Sequence, residues 1–335
     1  MTDKPGDLPQ YARDSRELDQ SLRPWKLPFR AWRRVVVRIA LKFGDDNISI
    51  LAAGCAFFSL LALVPALTSI LLLYGLVVEP EEIAEQIRGL WSILPSETVT
   101  FLNETLTRLT LQSGEALGFS FLLSLSIALW SSTRTVRALM GSLNVVYDES
   151  EKRGIIGLNL QILAITIVGI LGFILVQIVL TIIPAILSIL GLEDAYQLAF
   201  KIFRWPFLAL FATGTLVALY RLGPSRRNAS LAWLLPGAVT ATLAWLAASG
   251  LFSIYIENFG SYDAVYGSFG AAIILLLWMY WSFLIVLMGA EINSELEREV
   301  ISDTTIGGPD PLGEREAIVA DSVALRPDIS ADPES

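Results

Sequence analysis

Residues Ile48–Val78 read ISILAAGCAFFSLLALVPALTSILLLYGLVV, and their centre, Phe57–Leu67 (FFSLLALVPAL), holds a proline at Pro65. In water, a proline so deep in an apolar helix would end it. It removes one backbone donor and crowds the carbonyl one turn earlier. No Asp, Glu, Lys or Arg interrupts the run, and a lipid-spanning helix needs roughly 20 mostly apolar residues. The run therefore predicts a transmembrane helix that Pro65 kinks or breaks, with Ser59 close enough to relieve the freed Leu61 carbonyl. A purely structural kink is one reading. The other is a broken helix lining a cavity, as in transporters.

The rest of the chain agrees with lipid as solvent. Of 335 residues, 54% are hydrophobic and only 17% charged, too few polar groups to cover a soluble domain of this size. The first twenty residues are polar and lack the apolar core of a cleavable signal peptide. Cys55 is the only cysteine and histidine is absent. Internal disulfides, cysteine metal knuckles and the usual neutral-pH general base are thereby excluded. No cofactor or metal is implied, and no catalytic residue is assigned.

Six long apolar segments fall at 46–78, 115–139, 156–190, 198–220, 231–256 and 266–290. Open sheets do not survive in lipid, so the expected fold is all-α: a polytopic membrane bundle of six transmembrane helices. Lys and Arg crowd the segment before the first span and the second and fourth connections. The latter carry Arg134, Arg137, Lys152 and Arg153, then Arg221, Arg226 and Arg227. By the positive-inside rule both termini are expected in the cytoplasm.

The flanks divide as a polar N-terminal segment at 1–28, a membrane domain at 29–301 and an acidic tail at 302–335, expected to be disordered. Within 29–43 (FRAWRRVVVRIALKF), Phe29, Trp32, Val36, Ile39 and Phe43 form an apolar stripe, and Arg30, Arg34, Arg38 and Lys42 a basic row. This predicts a cytoplasmic interfacial helix whose Arg30, Arg33, Arg34 and Arg38 meet anionic headgroups. A nucleic-acid arm is the rival reading of the same charges, and nucleic acid is not expected as a partner. Residues 79–113 predict an extracytoplasmic hairpin of two amphipathic helices, either simply packed or gating.

No charged residue falls near the middle of any span, which argues against a carrier built on a midplane carboxylate. The polar residues within spans, Gln177 most notable among them, suit interhelical hydrogen bonding or substrate contact. Small residues four apart, Ala52 with Ala56 and Gly237 with Ala241, suit packing seams.

Three stretches, FGDDNISILAAGCAFFSLLALVPAL (43–67), LWSSTRTVRALMGSLNVVY (129–147) and YGSFGAAIILLLWMYWSFLIVLMGAEIN (266–293), resemble the YihY/BrkB family of bacterial inner-membrane proteins. The resemblance covers roughly residues 30–300. It points to Asp45, Asp46, Ser59, Pro65, Trp130, Asn144, Tyr147, Tyr266, Gly267, Trp278, Glu291 and Asn293 as candidate functional positions. It implies six spans and an envelope or transport role. It also brings an old label, ribonuclease BN, regarded as a misassignment. For a nuclease the residues supply no histidine, and cytoplasmic acids such as Asp45, Asp46, Asp148, Glu149, Glu151 and Glu291 could offer only a carboxylate metal site. Asp45 and Asp46 read as N-caps of the first span. Glu291 is expected to pair with Arg134 or Arg137, pinning two helices or closing an inner gate.

The main expectation is a transporter-like membrane protein for a lipid or amphiphile. A non-transporting scaffold that recruits envelope partners is the alternative, and a ribonuclease the weakest reading. The substrate, coupling ion and oligomeric state are not specified by the sequence.

Overall fold

The computed structural model describes residues 23–77, 114–184, 193–258, 270–300, 302–307, 310–311 and 313–322. After a short turn at Pro24–Lys26 come α1 (Phe29–Asp45), α2 (Ile48–Val77), α3 (Gly114–Val146), α4 (Ile155–Gln177), α5 (Glu193–Leu222), α6 (Leu231–Asn258), α7 (Gly270–Glu297) and α8 (Ile318–Asp321). Among the described residues there is no strand, only an isolated bridge between Ala229 and Thr305. The expected all-helical class holds. The hairpin at 79–113 and the candidates Tyr266 and Gly267 lie outside the described residues.

Among the described residues, five helices contain stretches long and apolar enough to cross a membrane: Ile48–Ile70, Ile155–Leu180, Phe203–Leu222, Leu231–Tyr255 and Ala272–Glu297. The sixth expected span, α3, has 33 residues, roughly 50 Å at the helical rise, but is not among them. Side chains on α4 such as Leu160, Val168, Leu171 and Phe173 are exposed on several faces, as suits a helix solvated by lipid.

Packing centres on α7. It lies against α1, α2, α3 and α6, while α2 pairs most extensively with α3, and α5 with α6. Ile48, Ala52, Leu143, Val146, Tyr147, Leu234, Leu287 and Ala290 form the main buried cluster. Gly237 on α6 and Gly289 on α7 set the closest approach. A Cβ on Gly237 would stand 1.9 Å from the Gly289 carbonyl oxygen, and one on Gly289 would stand 2.7 Å from the Ala241 Cβ. The small-residue seam expected at Gly237 and Ala241 is therefore a real helix contact.

Several expectations are corrected. Pro65 does not break its helix, since α2 runs unbroken from Ile48 to Val77. Nor does Ser59 serve the Leu61 carbonyl: its hydroxyl donates to the Cys55 carbonyl at 2.9 Å and reaches Thr135 Oγ1 at 3.5 Å. The start of α2 is capped by neither Asp45 nor Asp46. Asn47, at φ 52°, places its carbonyl to accept the N–H groups of Ile50 and Leu51, and Asn is among the few residues that tolerate this conformation.

Helix α1 buries Ala31, Val35 and Ile39 against Trp233, Leu296 and Val300. Phe29 and Val36, from the expected apolar stripe, are exposed.

The tail differs most. Its described residues between 302 and 322 fold back onto the bundle. Thr305 bridges Ala229, Arg227 N–H donates to the Glu316 carbonyl at 3.2 Å, and Val319 is fully buried in the main cluster. Arg315 organises this segment by donating to the carbonyls of Ser302, Asp310 and Ala320.

Candidate functional site

The turn after α1, the α3–α4 and α5–α6 connections and the end of α7 meet at one end of the bundle. Lys42 contacts Asp148, Lys152 N–H donates to Ser225 Oγ, and Arg226 contacts Glu297. This charged end holds six of the candidate residues: Asp45, Asp46, Asn144, Tyr147, Glu291 and Asn293.

Its first feature is an alternating chain of ions. Arg34 reaches Glu299 at 2.7 Å, and Arg38 bonds both Glu299, at 2.7 Å, and Glu295. Arg298 joins Glu295 at 3.4 Å to Asp148, and Lys42 joins Asp148 at 2.9 Å to Asp46 at 3.6 Å. Four cations and four carboxylates thus alternate along α1, the α3–α4 turn and α7. Burial alone would push the Glu299 carboxyl up, but hydrogen bonds from Arg34 and Arg38 outweigh it and hold it below its ordinary range.

Arg34 and Arg38, expected at lipid headgroups, are instead engaged with this chain. Arg30 and Arg33 remain exposed. The signal was readable: Glu291, Glu295 and Glu299 recur every four residues, matching the i, i+4 row of Arg34, Arg38 and Lys42.

The second feature is a buried pair. Arg226 donates to Glu297 at 2.6 and 3.2 Å, with side chains 1% and 0% exposed. Its guanidinium lies 4.3 Å from the Tyr147 ring centroid, and the Thr304 hydroxyl donates to Glu297 Oε2 at 2.9 Å. Asn144 Oδ1 accepts the Ser225 N–H at 2.7 Å, and its Nδ2 donates to Glu151 at 3.1 Å. Asn144 and Tyr147 therefore fasten α3 to the α5–α6 connection.

Asn293 is a clamp. Its Oδ1 accepts the Gly237 N–H at 2.7 Å and its Nδ2 donates to the Leu234 carbonyl at 3.0 Å. Both partners flank Pro236, which interrupts the hydrogen-bond ladder of α6. Nearby, the Tyr220 hydroxyl donates to the Val286 carbonyl at 2.7 Å.

Glu291 is fully buried, and neither carboxylate oxygen has a hydrogen-bond partner. The expected pairing with Arg134 or Arg137 is not formed. Arg134 lies over the Trp130 ring at 4.6 Å, and Arg137 bonds Asn159.

The remaining candidates lie apart from this end. Ser59 and Pro65 are within α2. Trp278 packs with Trp245 and Phe252, at centroid distances of 5.6 and 5.0 Å. Gln177 is exposed where α4 widens into a π turn at Ile178–Ile182.

A groove of about 700 Å³ opens where α4 begins and α5 ends, lined by Lys152, Arg153, Gln161, Leu222, Arg226 and Arg227 among others. Arg153 crosses it, donating to Glu151 and to the Gly223 carbonyl at 2.9 Å. Hydrogen bonds from Arg153 hold the Glu151 carboxyl down at about 2. Sequence reasoning missed this groove, because Gln161 and Leu222 lie far apart in the chain and neither stands out in composition.

Comparison with known proteins comes to the same place. The chain is 32% identical over 254 residues to a putative ribonuclease-like protein of Bacillus subtilis, YfkH, covering 74% of this chain and 89% of the relative. It is 26% identical over 280 residues to a UPF0761 membrane protein of Idiomarina loihiensis, covering 82% and 94%. A UPF0761 membrane protein of Vibrio campbellii is 28% identical over 267 residues, covering 77% and 81%. No solved structure matches the chain. The family model described as virulence factor BrkB matches residues 39–310, from the last turns of α1 through the docked tail, and the chain belongs to that family of bacterial membrane proteins.

Proposed function

We propose that the protein is a transporter-like component of the bacterial inner membrane that handles a lipid or similar amphiphile. In this reading α3 is the sixth span, residues 79–113 cap the outer side, and both termini face the cytoplasm, as the Lys and Arg distribution requires. The observation that carries it is the groove between the start of α4 and the end of α5. It places polar groups beside two helices whose apolar side chains are largely exposed. A headgroup in the groove would leave its chains along those faces.

The basic groups there are already compensated: Lys152 by Glu149, Arg153 by Glu151, Arg226 by Glu297 and Arg227 by Asp310. A zwitterionic or hydroxyl-bearing head suits such a lining better than a bare anion. Arg30 and Arg33, exposed on α1, are left to meet anionic headgroups of the surrounding leaflet.

Docking of the described tail residues weakens the scaffold reading, in which a free acidic tail recruits partners. The ribonuclease-like name belongs to the Bacillus relative, and no RNA-cleaving role is proposed here.

The test is reconstitution of the purified chain into vesicles carrying fluorescent phospholipids. Movement of lipid between leaflets, reduced by Arg153→Ala or Gln161→Leu, is expected. Folded protein that moved neither lipids nor small solutes would contradict the reading.

A further inference from the structure

The ion chain of the charged end is neutral without Glu291. Arg34, Arg38, Lys42 and Arg298 are matched by Asp46, Asp148, Glu295 and Glu299 through the contacts described above. Glu291 lies one helical turn before Glu295, on the same row of α7. It is 0% exposed, and both oxygens lack any hydrogen-bond donor.

The charged groups that act on it most are Lys42 of α1, Asp46 of the α1–α2 junction, Glu295 of α7 and Arg298 just beyond. Tyr147, following α3, feels its field in turn and has a buried hydroxyl without a partner. Tyr220 of α5 meets α7 two residues earlier, at Gly289, and its hydroxyl is committed to the Val286 carbonyl. Both nearby cations already pair with other carboxylates, although the Arg298 Nε–H makes only a 3.4 Å ion contact with Glu295 and has no hydrogen-bond partner.

A buried carboxylate with no donor and no free counter-charge is strongly disfavoured as a bare anion. We propose that Glu291, with Asp46 beside it, is a binding site for a small cation, a proton or Na⁺. Asp46 supports the assignment. Its Oδ2 is buried without a hydrogen-bond partner, its one cation, Lys42, standing 3.6 Å away and shared with Asp148 at 2.9 Å, and burial raises its carboxyl above the ordinary range. The site lies at the charged end of α7 rather than at the midplane, so it is compatible with spans whose centres carry no charge. The assignment does not depend on transport, and a protein that moved no lipid could still hold the cation.

The experiment compares the purified full chain with Glu291→Gln and Asp46→Asn, in detergent. In one arm, infrared spectra follow the protonated-carboxyl band, and melting temperature is read across pH 6 to 9. A bound proton predicts a band in the wild type that Glu291→Gln removes. It also predicts a wild-type melting temperature that falls by several degrees as pH rises, while Glu291→Gln stays flat. In the other arm, NaCl is compared with KCl and choline chloride at equal ionic strength. A bound sodium predicts a saturable, Na⁺-specific rise that Glu291→Gln abolishes. If Glu291→Gln does not fold, Asp46→Asn decides, by shifting the midpoint of whichever dependence the wild type shows. A wild type with neither dependence overturns the proposal, as does a variant whose pH and Na⁺ profiles match the wild type.

Discussion

Replacing Arg226 by methionine probes the buried pair most sharply. Arg226 and Glu297 are 1% and 0% exposed, joined by two hydrogen bonds, and the guanidinium also covers the Tyr147 ring. Methionine keeps much of the volume and the ring contact but strands the Glu297 carboxylate. Thr304 still donates to one oxygen and nothing then donates to the other. Stranding a buried charge costs about 3–5 kcal/mol, and the lost cation–π contact adds about 1–2 kcal/mol where it is desolvated. Replacing both partners by methionine removes the charges together and is expected to recover most of the loss. The assay is denaturant or thermal unfolding of the purified chain in detergent, followed by tryptophan fluorescence. The reasoning is refuted if Arg226→Met costs less than about 1 kcal/mol, or if the double variant is as unstable as the two single losses added.

Further outcomes follow from the seam, the clamp and the groove. Gly237→Val should prevent α6 and α7 from closing and lower the yield of folded protein. Normal yield and melting would show that the close approach of Gly237 to the Gly289 carbonyl is not maintained. Asn293→Ala removes two hydrogen bonds to the α6 backbone, at about 0.5–1.5 kcal/mol each, so a loss under about 0.5 kcal/mol would refute the clamp. Glu151 should titrate near 2 in the folded chain, against about 4.3 when unfolded. A depressed value stabilises above the unfolded pKa and is lost as pH falls through the folded one. The stability advantage of wild type over Glu151→Gln should therefore be constant from pH 7 to about 4.5 and vanish toward pH 2. An advantage that faded already at pH 6 would contradict the Arg153 pairing.

The helices were legible because lipid tolerates only apolar runs with internally satisfied backbones, and 48–78 or 266–290 admit no other reading. Of the two proline readings, only the broken helix is overturned. Pro65 removes one bond from a 30-residue helix, and the remaining turns hold it together. The ion chain was half legible. The basic row of α1 was seen, but its partners lie over 250 residues away, and a row of arginines reads equally well as facing lipid. Knowing that Glu295 and Glu299 share its four-residue spacing would have joined the two. The docked tail was hidden by its composition. It is held by Val319, a bridge at Thr305 and the bonds of Arg315, not by any apolar period. Glu291 was singled out, yet its surroundings could not be read, because which side of α3 carries Arg134 depends on how the helices rotate.

The arrangement of the bundle across the bilayer is tested most directly by single-cysteine labelling. Cys55 is buried and would be replaced by alanine, with Glu97→Cys and Asn228→Cys introduced separately. A membrane-impermeant maleimide applied to cells with an opened outer membrane should label position 97, and should label position 228 only after the inner membrane is permeabilised. Labelling of both positions from the same side would contradict the threaded bundle with its charged end in the cytoplasm.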